Sequence, residues 1–333
     1  MNLLFLAIQF AAGFVLLVGG AEFLVRGASR LAVRYNLPPV LIGLTIVAFG
    51  TSLPELVVSL TAALNGEDSA IAIGNIVGSN IANLGLILGI AGIIMALPVA
   101  AGFTRRELPI LFGVSVLFMA MAWLNFNIDR VEGALLVGGF VVVNWLSWRA
   151  AAKEPDFSQE VKTTVATVES IDPATARPSR SIWLDLLGIL VGLVGLIFGA
   201  RWLVDAASEI ARTLGISELV IGLTLVAIGT SLPEVATSVV AVLRGNADIA
   251  VGNVVGSNLF NLLAIGGITA LVSPLTIPST MAIDFAFMIL LTGLVWFFAW
   301  RPRDVITRWQ AAILLVVYIV YIAQLALQAA APT

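Results

Sequence analysis

The chain has no cysteine and no histidine. The first absence excludes disulfides and thiolate metal centres. The second excludes imidazole ligands and histidine-based proton relays. Charge is scarce as well, with 17 basic and 20 acidic residues in 333. A soluble protein of this length carries roughly 80 charged residues. Hydrophobic residues make up 60%, and the mean hydropathy is +1.06. So few charges do not cover a water-facing surface. A soluble enzyme, a nucleic-acid binder and a disordered chain are therefore excluded. What remains for chemistry inside a membrane is carboxylates, hydroxyls, amides and backbone carbonyls. Hard cations prefer that set.

Apolar stretches near 20 residues predict ten membrane helices. They fall at about 2–24, 40–63, 70–97, 108–124, 133–148, 184–206, 219–243, 249–272, 285–300 and 309–328. The first lacks a basic leader and is too long for a signal peptide, so it reads as a helix. Residues 150–182 form the one long polar segment, rich in charge and proline, and read as a linker. It is too short and unpatterned for a regulatory domain. The expected fold is an all-α integral membrane protein with halves at 1–149 and 183–333.

Ten spans put both termini on one side, and the basic residues then sort. Fourteen fall on the linker side: Arg26, Arg30, Arg34, Arg105, Arg106, Arg149, Lys153, Lys162, Arg177, Arg180, Arg244, Arg301, Arg303 and Arg308. The other side holds Arg130, Arg201 and Arg212. This asymmetry orients the linker to the cytoplasm and the termini outside a plasma or inner membrane. Tryptophans at span ends (Trp123, Trp148, Trp183, Trp300, Trp309) fit interfacial anchors.

The chain also repeats itself. Residues 42–55 read IGLTIVAFGTSLPE and residues 221–234 read IGLTLVAIGTSLPE, matching at 12 of 14 positions. Residues 74–84 (GNIVGSNIANL) and 252–262 (GNVVGSNLFNL) match at 8 of 11. Each half carries five spans, and five is odd, so the halves enter the membrane in opposite senses. That is the inverted-repeat architecture of secondary transporters, with broken helices at mid-membrane. Flanking charges follow it: Glu22, Arg26 and Arg30 align with Arg201, Asp205 and Glu209, opposite in sign.

The repeated blocks carry the chemistry. Pro54 and Pro233 remove a helical N–H and free the carbonyls of Gly50 and Gly229. Broken helices survive at membrane depth where they face protein or a cavity. Glu55 and Glu234 lie near mid-membrane with no Arg or Lys at similar depth. Each costs about 2.5–3.5 kcal/mol on insertion scales, so a cation or proton must compensate. Ser52, Glu55 and Ser59 share a helical face, as do Ser231, Glu234 and Ser238. Ser79 with Asn83, and Ser257 with Asn261, sit four apart on the following spans. Two carboxylates suit one divalent ion, or two monovalent ions or protons. The small and polar residues alone also fit helix-packing glue.

These doubled GTSLPE and GSN blocks resemble the two alpha repeats of the calcium/cation antiporter superfamily, closest to its prokaryotic sodium/calcium exchanger branch. The resemblance covers both halves. It implies an antiporter, not an enzyme, that exports Ca2+ using Na+ entry by alternating access. It implies Ca2+ on the carboxylates of Glu55 and Glu234 and the carbonyls of Thr51 and Thr230. Na+ would use the same glutamates with Ala48, Ser52, Ser79, Ala227, Ser231 and Ser257, and Asn83 and Asn261 would face the centre. The transported ions are the partners, together with the lipid bilayer. No cofactor is implied, and a monomer suffices. Well-known exchangers carry aspartate where this chain has Asn261, so Ca2+/H+ exchange is the alternative. A cation channel is a rival without a pore loop in the sequence. An intramembrane hydrolase would have to use Ser52 beside Glu55, without His or Lys at that depth.

Overall fold

Long apolar runs fold as long helices here, and prolines and glycines mark where they bend. The computed structural model describes residues 3–35, 37–64, 69–99, 101–151, 181–214, 229–300 and 304–330. The helices are α1 (Leu3–Tyr35), α2 (Pro39–Thr51), α3 (Leu53–Leu64), α4 (Ser69–Ile94), α5 (Ala101–Asn125) and α6 (Arg130–Ala151). After the linker come α7 (Ile182–Thr213), α8 (Leu232–Leu243), α9 (Ala247–Val272), α10 (Ala282–Ala299) and α11 (Arg308–Ala330). Eight helices among the described residues are long and apolar enough to cross a bilayer, nine with α2 and α3 as one bent span. Most of the linker, and residues 219–228 of the expected seventh span, lie outside the described residues.

Two helices overrun their predicted ends. α1 continues to Tyr35 rather than stopping near 24, and α7 to Thr213 rather than 206. The overhang of α1 is charged, yet its charges are matched. Arg26 and Arg244 both bond Glu22, and Arg34 reaches Asp185 at 3.1 Å. α5 likewise starts at Ala101, seven residues before its predicted span, and takes in Arg105, Arg106 and Glu107. A hydropathy window ends at the first such charge, whereas the backbone continues while partners are at hand.

The interior belongs to α4 and α9, the two helices with the largest buried share. α1, α6, α7 and α11 form the rim. Their outward faces carry Phe14, Val15, Val141, Leu190 and Val316, all more than a third exposed. In water such a surface would aggregate. In a bilayer it is the ordinary outer surface. Trp148, Trp183, Trp300 and Trp309 are also exposed, at the helix ends where the sequence placed them.

α1 and α7 pack backbone to backbone. A Cβ on Gly20 would lie 2.6 Å from the Leu196 nitrogen, and one on Gly192 would lie 2.5 Å from the Leu24 nitrogen. Gly13 and Gly27 meet backbone of the same partner helix. Small residues permit this close approach, and dispersion and dipole contacts along the backbones then hold the pair.

The loops are tied across the molecule by four two-residue strands: β1 (Leu97–Pro98), β2 (Asn127–Ile128), β3 (Leu275–Thr276) and β4 (Val305–Ile306). β1 pairs antiparallel with β4, and β2 with β3. Several features of these loops recur 178 positions on. Phe126 and Asp304 share a left-handed backbone (φ 50° and 45°). Asp129 and Glu132 form a reciprocal capping box at the start of α6, with both bonds at 2.9 Å. Thr307 and Gln310 repeat it before α11. The two halves therefore match in local structure as well as in sequence.

Candidate ion-binding site

The chain breaks at Ser52, between α2 and α3, with a bend of 44°. Ser52 adopts φ −85° and ψ 9°, and Ser231 before α8 adopts φ −87° and ψ 2°. Both lie in the sparsely populated bridge region favoured at functional turns. Each break is followed by Leu-Pro-Glu, so a proline occupies the first turn, where its missing N–H costs nothing. Each glutamate is then the third residue of a new helix, where the partial positive charge of the helix start favours a carboxylate.

The two breaks interlock. The Ser52 hydroxyl donates to Glu234 Oε1 at 2.9 Å. The Ser231 hydroxyl donates to Glu55 Oε1 at 3.3 Å. Each serine thus holds the glutamate of the other half. That exchange links both carboxylates to the opposite break in the buried interior, each 1% exposed. Ser59 and Ser238 are buried on the same faces.

α4 and α9 supply the opposite wall. Both contain a π-helical turn, at Asn83–Ile87 and at Phe260–Ile265. Such a turn widens the helix by one residue and is frequent at functional sites. Here it begins at or beside Asn83 and Asn261, both 1% exposed. Asn83 Nδ2 donates to Asn258 Oδ1 at 2.9 Å. Ser79 and Ser257 lie one turn earlier and are buried.

Several buried polar atoms lack a hydrogen-bond partner among the described residues. They include Glu55 Oε2, Glu234 Oε2, Ser257 Oγ, Asn83 Oδ1 and both amide atoms of Asn261. An orphaned buried acceptor normally costs about 1–3 kcal/mol, and more when charged. Five of these atoms are oxygens, carried on α3, α4, α8 and α9, and oxygen is the donor a hard cation takes, 6–8 of them when it is Ca2+. No group of three or more acidic side chains gathers among the described residues.

Of the other residues singled out in the sequence, Ala48 is buried, and its carbonyl accepts the Ser52 N–H at 3.0 Å. Thr51 is buried and Thr230 is half-buried at the second break. Ala227 lies outside the described residues.

Two asparagines escaped the sequence reading. Asn75 Nδ2 donates to the Glu55 carbonyl at 3.0 Å and to Ser59 Oγ at 2.9 Å. Asn253 Nδ2 donates to Ser238 Oγ at 3.1 Å, while its Oδ1 accepts from Thr51 Oγ1 at 3.1 Å. They stitch α4 to α3 and α9 to α8 and α2. Their recurrence in both GN-x-VGSN blocks was the available signal. The sequence also implied two deep carboxylates, whereas four are buried among the described residues. Glu107 and Asp185 are the others, bonded to Arg106 and Arg34.

Comparisons with known proteins agree with this geometry. The sequence profile of the sodium/calcium exchanger protein family matches residues 5–149 and 184–326. Inner membrane protein YrbG of Escherichia coli (strain K12) is 35% identical, over 94% of this chain and 94% of its own. Sodium/calcium exchanger MaX1 of Methanosarcina acetivorans is 31% identical, over 93% of this chain and 95% of its own. The solved structure of the sodium-calcium exchanger NCX_Mj, soaked with zero Na+ and Ca2+, superposes with a TM-score of 0.82 at 28% identity. That match covers 97% of this chain and 100% of the other. The chain belongs to the sodium/calcium exchanger family, in the prokaryotic branch of the calcium/cation antiporter superfamily.

Proposed function

We propose that this protein is a secondary antiporter that exports Ca2+ in exchange for Na+ by alternating access. The observation that carries the reading is the reciprocal pair of serine–glutamate bonds around two buried carboxylates that have no cationic partner among the described residues. Ca2+ binds between Glu55 and Glu234, completed by carbonyls of Thr51 and Thr230. Na+ uses the same glutamates with Ser52, Ser231, Ser79, Ser257, Ala48 and Ala227. Asn83 and Asn261 face the ions. Occupancy is exclusive because both ions need the same carboxylates. The empty site keeps two unneutralised charges in a low-dielectric core, at several kcal/mol each. Switching is therefore slow when empty and fast when loaded, which couples the two fluxes. That the relatives are exchangers supports transport rather than catalysis.

The proposal includes the architecture. Ten spans in two inverted halves, 1–149 and 183–333, account for the offset of 178 between the loop strands and between the helix caps. They also account for β1 pairing with β4 while β3, the mate of β1, pairs with β2, the mate of β4. The termini lie outside and the linker 150–182 lies in the cytoplasm, as the basic residues require. α1 and α7, joined backbone to backbone, are the pair that moves.

Exchange against H+ is the second reading, favoured by the amide at Asn261 where a further carboxylate would hold Na+. Reconstituted vesicles separate the two. Uptake of radioactive Ca2+ should require an outward Na+ gradient, or a proton gradient under the second reading. Uptake that ignores both would mark a channel. Ser52→Ala and Ser231→Ala should weaken Na+ binding by about 1 kcal/mol each, roughly fivefold in the Na+ concentration that half-inhibits Ca2+ uptake. The two should be similar, and the Ca2+ half-saturation should move less.

A further inference from the structure

We infer that Glu22 and Arg244 form an ionic latch that holds α1 over α8 and leaves α3 uncovered. The inference rests on the reading above that α1 and α7 move as a pair, and it names the contact that sets where the pair rests. The repeat makes α1 the mate of α7 and α8 the mate of α3. A symmetric molecule would therefore pack α7 on α3 as α1 packs on α8.

The molecule is not symmetric in this respect. α1 packs along α8, and α7 makes no comparable contact with α3 among the described residues. Burial follows the packing. Val240 on α8 is 8% exposed, whereas its mate Thr61 on α3 is exposed. Ala236 is half-buried, and its mate Val57 is 61% exposed. α8 and α3 each carry one site glutamate in the first turn and lead away from it. Covering one and baring the other closes one approach to the site and opens the other.

Two contacts hold α1 in that place. Arg244, the residue after α8, grips Glu22 with two nitrogens: Nε donates to Oε2 at 3.0 Å, and Nη2 lies 2.5 Å from Oε1. A bidentate pair fixes direction as well as distance. Two residues on, Asn246 Oδ1 accepts from Ser29 Oγ at 3.3 Å, and both residues are buried. Both contacts join α1 to the turn between α8 and α9, so both must break for α1 to leave α8. The Arg34–Asp185 pair joins α1 to α7 and travels with them.

The other end has no equivalent latch. Residues 62–66 read AALNG where 241–245 read AVLRG, so the mate of Arg244 is Asn65. The mate of Glu22 is Arg201. An arginine and an asparagine make no ion pair. The Arg201 side chain is 75% exposed and meets Asp205 of its own helix at 3.9 Å. Charge thus favours one resting position over the other. Glu22 also holds Arg26 of its own helix at 2.6 Å, so opening the latch strands no carboxylate. A half-exposed pair of this kind shifts an equilibrium by up to about fivefold, a bias that transport can overcome.

The absence of cysteine lets single thiols report the position of the pair in the full chain. Val240→Cys probes the covered helix and Thr61→Cys the uncovered one, each read by its rate of reaction with a water-soluble maleimide in detergent. In Glu22→Gln, in Arg244→Gln and in the double variant, the thiol at 240 should react up to about fivefold faster and the thiol at 61 more slowly. The double variant should match the singles. Faster reaction at both positions would mean general loosening, and unchanged rates would mean that these charges set nothing; either overturns the latch. A cross-link between Ser29→Cys and Asn246→Cys tests the moving pair separately. It should stop Ca2+ uptake into vesicles, and reduction should restore it. Uptake that survives the cross-link sinks the moving-pair reading and the latch with it. Blocked uptake with unchanged labelling sinks the latch alone.

Discussion

Replacing Glu55 or Glu234 with glutamine should abolish Ca2+ transport. Glutamine keeps the shape and one oxygen of the side chain, and it can still accept from Ser231 or Ser52. It removes one of two charges. Bound Ca2+ would then leave a net positive charge in a pocket closed to water. Breaking a buried charge pair by removing one partner costs about 3–5 kcal/mol. In affinity that is roughly 100-fold to several thousand-fold. The two substitutions should be equivalent, because each glutamate occupies the same place in its half. Without Ca2+ the variants should be at least as heat-stable as the parent, since an unpaired buried charge has been removed. Retained transport in either variant would refute the site.

Gly20→Leu should remove the folded transporter, while Gly19→Leu should leave it intact. A Cβ on Gly20 would sit 2.6 Å from the Leu196 nitrogen and 2.8 Å from the Gly192 carbonyl oxygen. These are backbone atoms of a rigid helix and do not swing aside. α1 and α7 would have to separate along their length, losing the contacts that Gly192 and Gly199 make with α1. Overpacking of side chains alone costs about 1–3 kcal/mol. Backbone displacement over several turns should cost about 3 kcal/mol or more. Gly19 has nothing within 4 Å of its Cβ position among the described residues. There leucine should gain up to about 1 kcal/mol from helix propensity. Thermal unfolding in detergent, with Ca2+ uptake alongside, reads both. Equal losses at the two positions would place the effect in chain flexibility instead of helix contact.

The sequence revealed most of what is periodic or repeated. Glu55 and Glu234 stood out because charge is rare in this chain and each glutamate recurs in an identical hexapeptide. Ser52 and Ser231 followed from their register with the glutamates. Spacing along one helix did not show that each serine bonds the glutamate of the other half. That contact joins residues about 180 positions apart. Asn75 and Asn253 were visible as repeated letters, but their bonds to Ser59, Ser238 and Thr51 depend on how α3, α4, α8 and α9 cross. Glu107 and Asp185 lie at the ends of apolar runs, and a hydropathy window does not see the arginine that pairs with each. The two-residue strands β1 to β4 are too short for any alternation to register, and their pairing is set by the packing of whole helices.

Equilibrium binding of radioactive Ca2+ to the purified protein tests the central claim most directly. One Ca2+ should bind per chain, Na+ or acid should displace it competitively, and neither Glu55→Gln nor Glu234→Gln should retain it. Binding that survives both substitutions, or that Na+ and protons leave untouched, would contradict a shared two-carboxylate site.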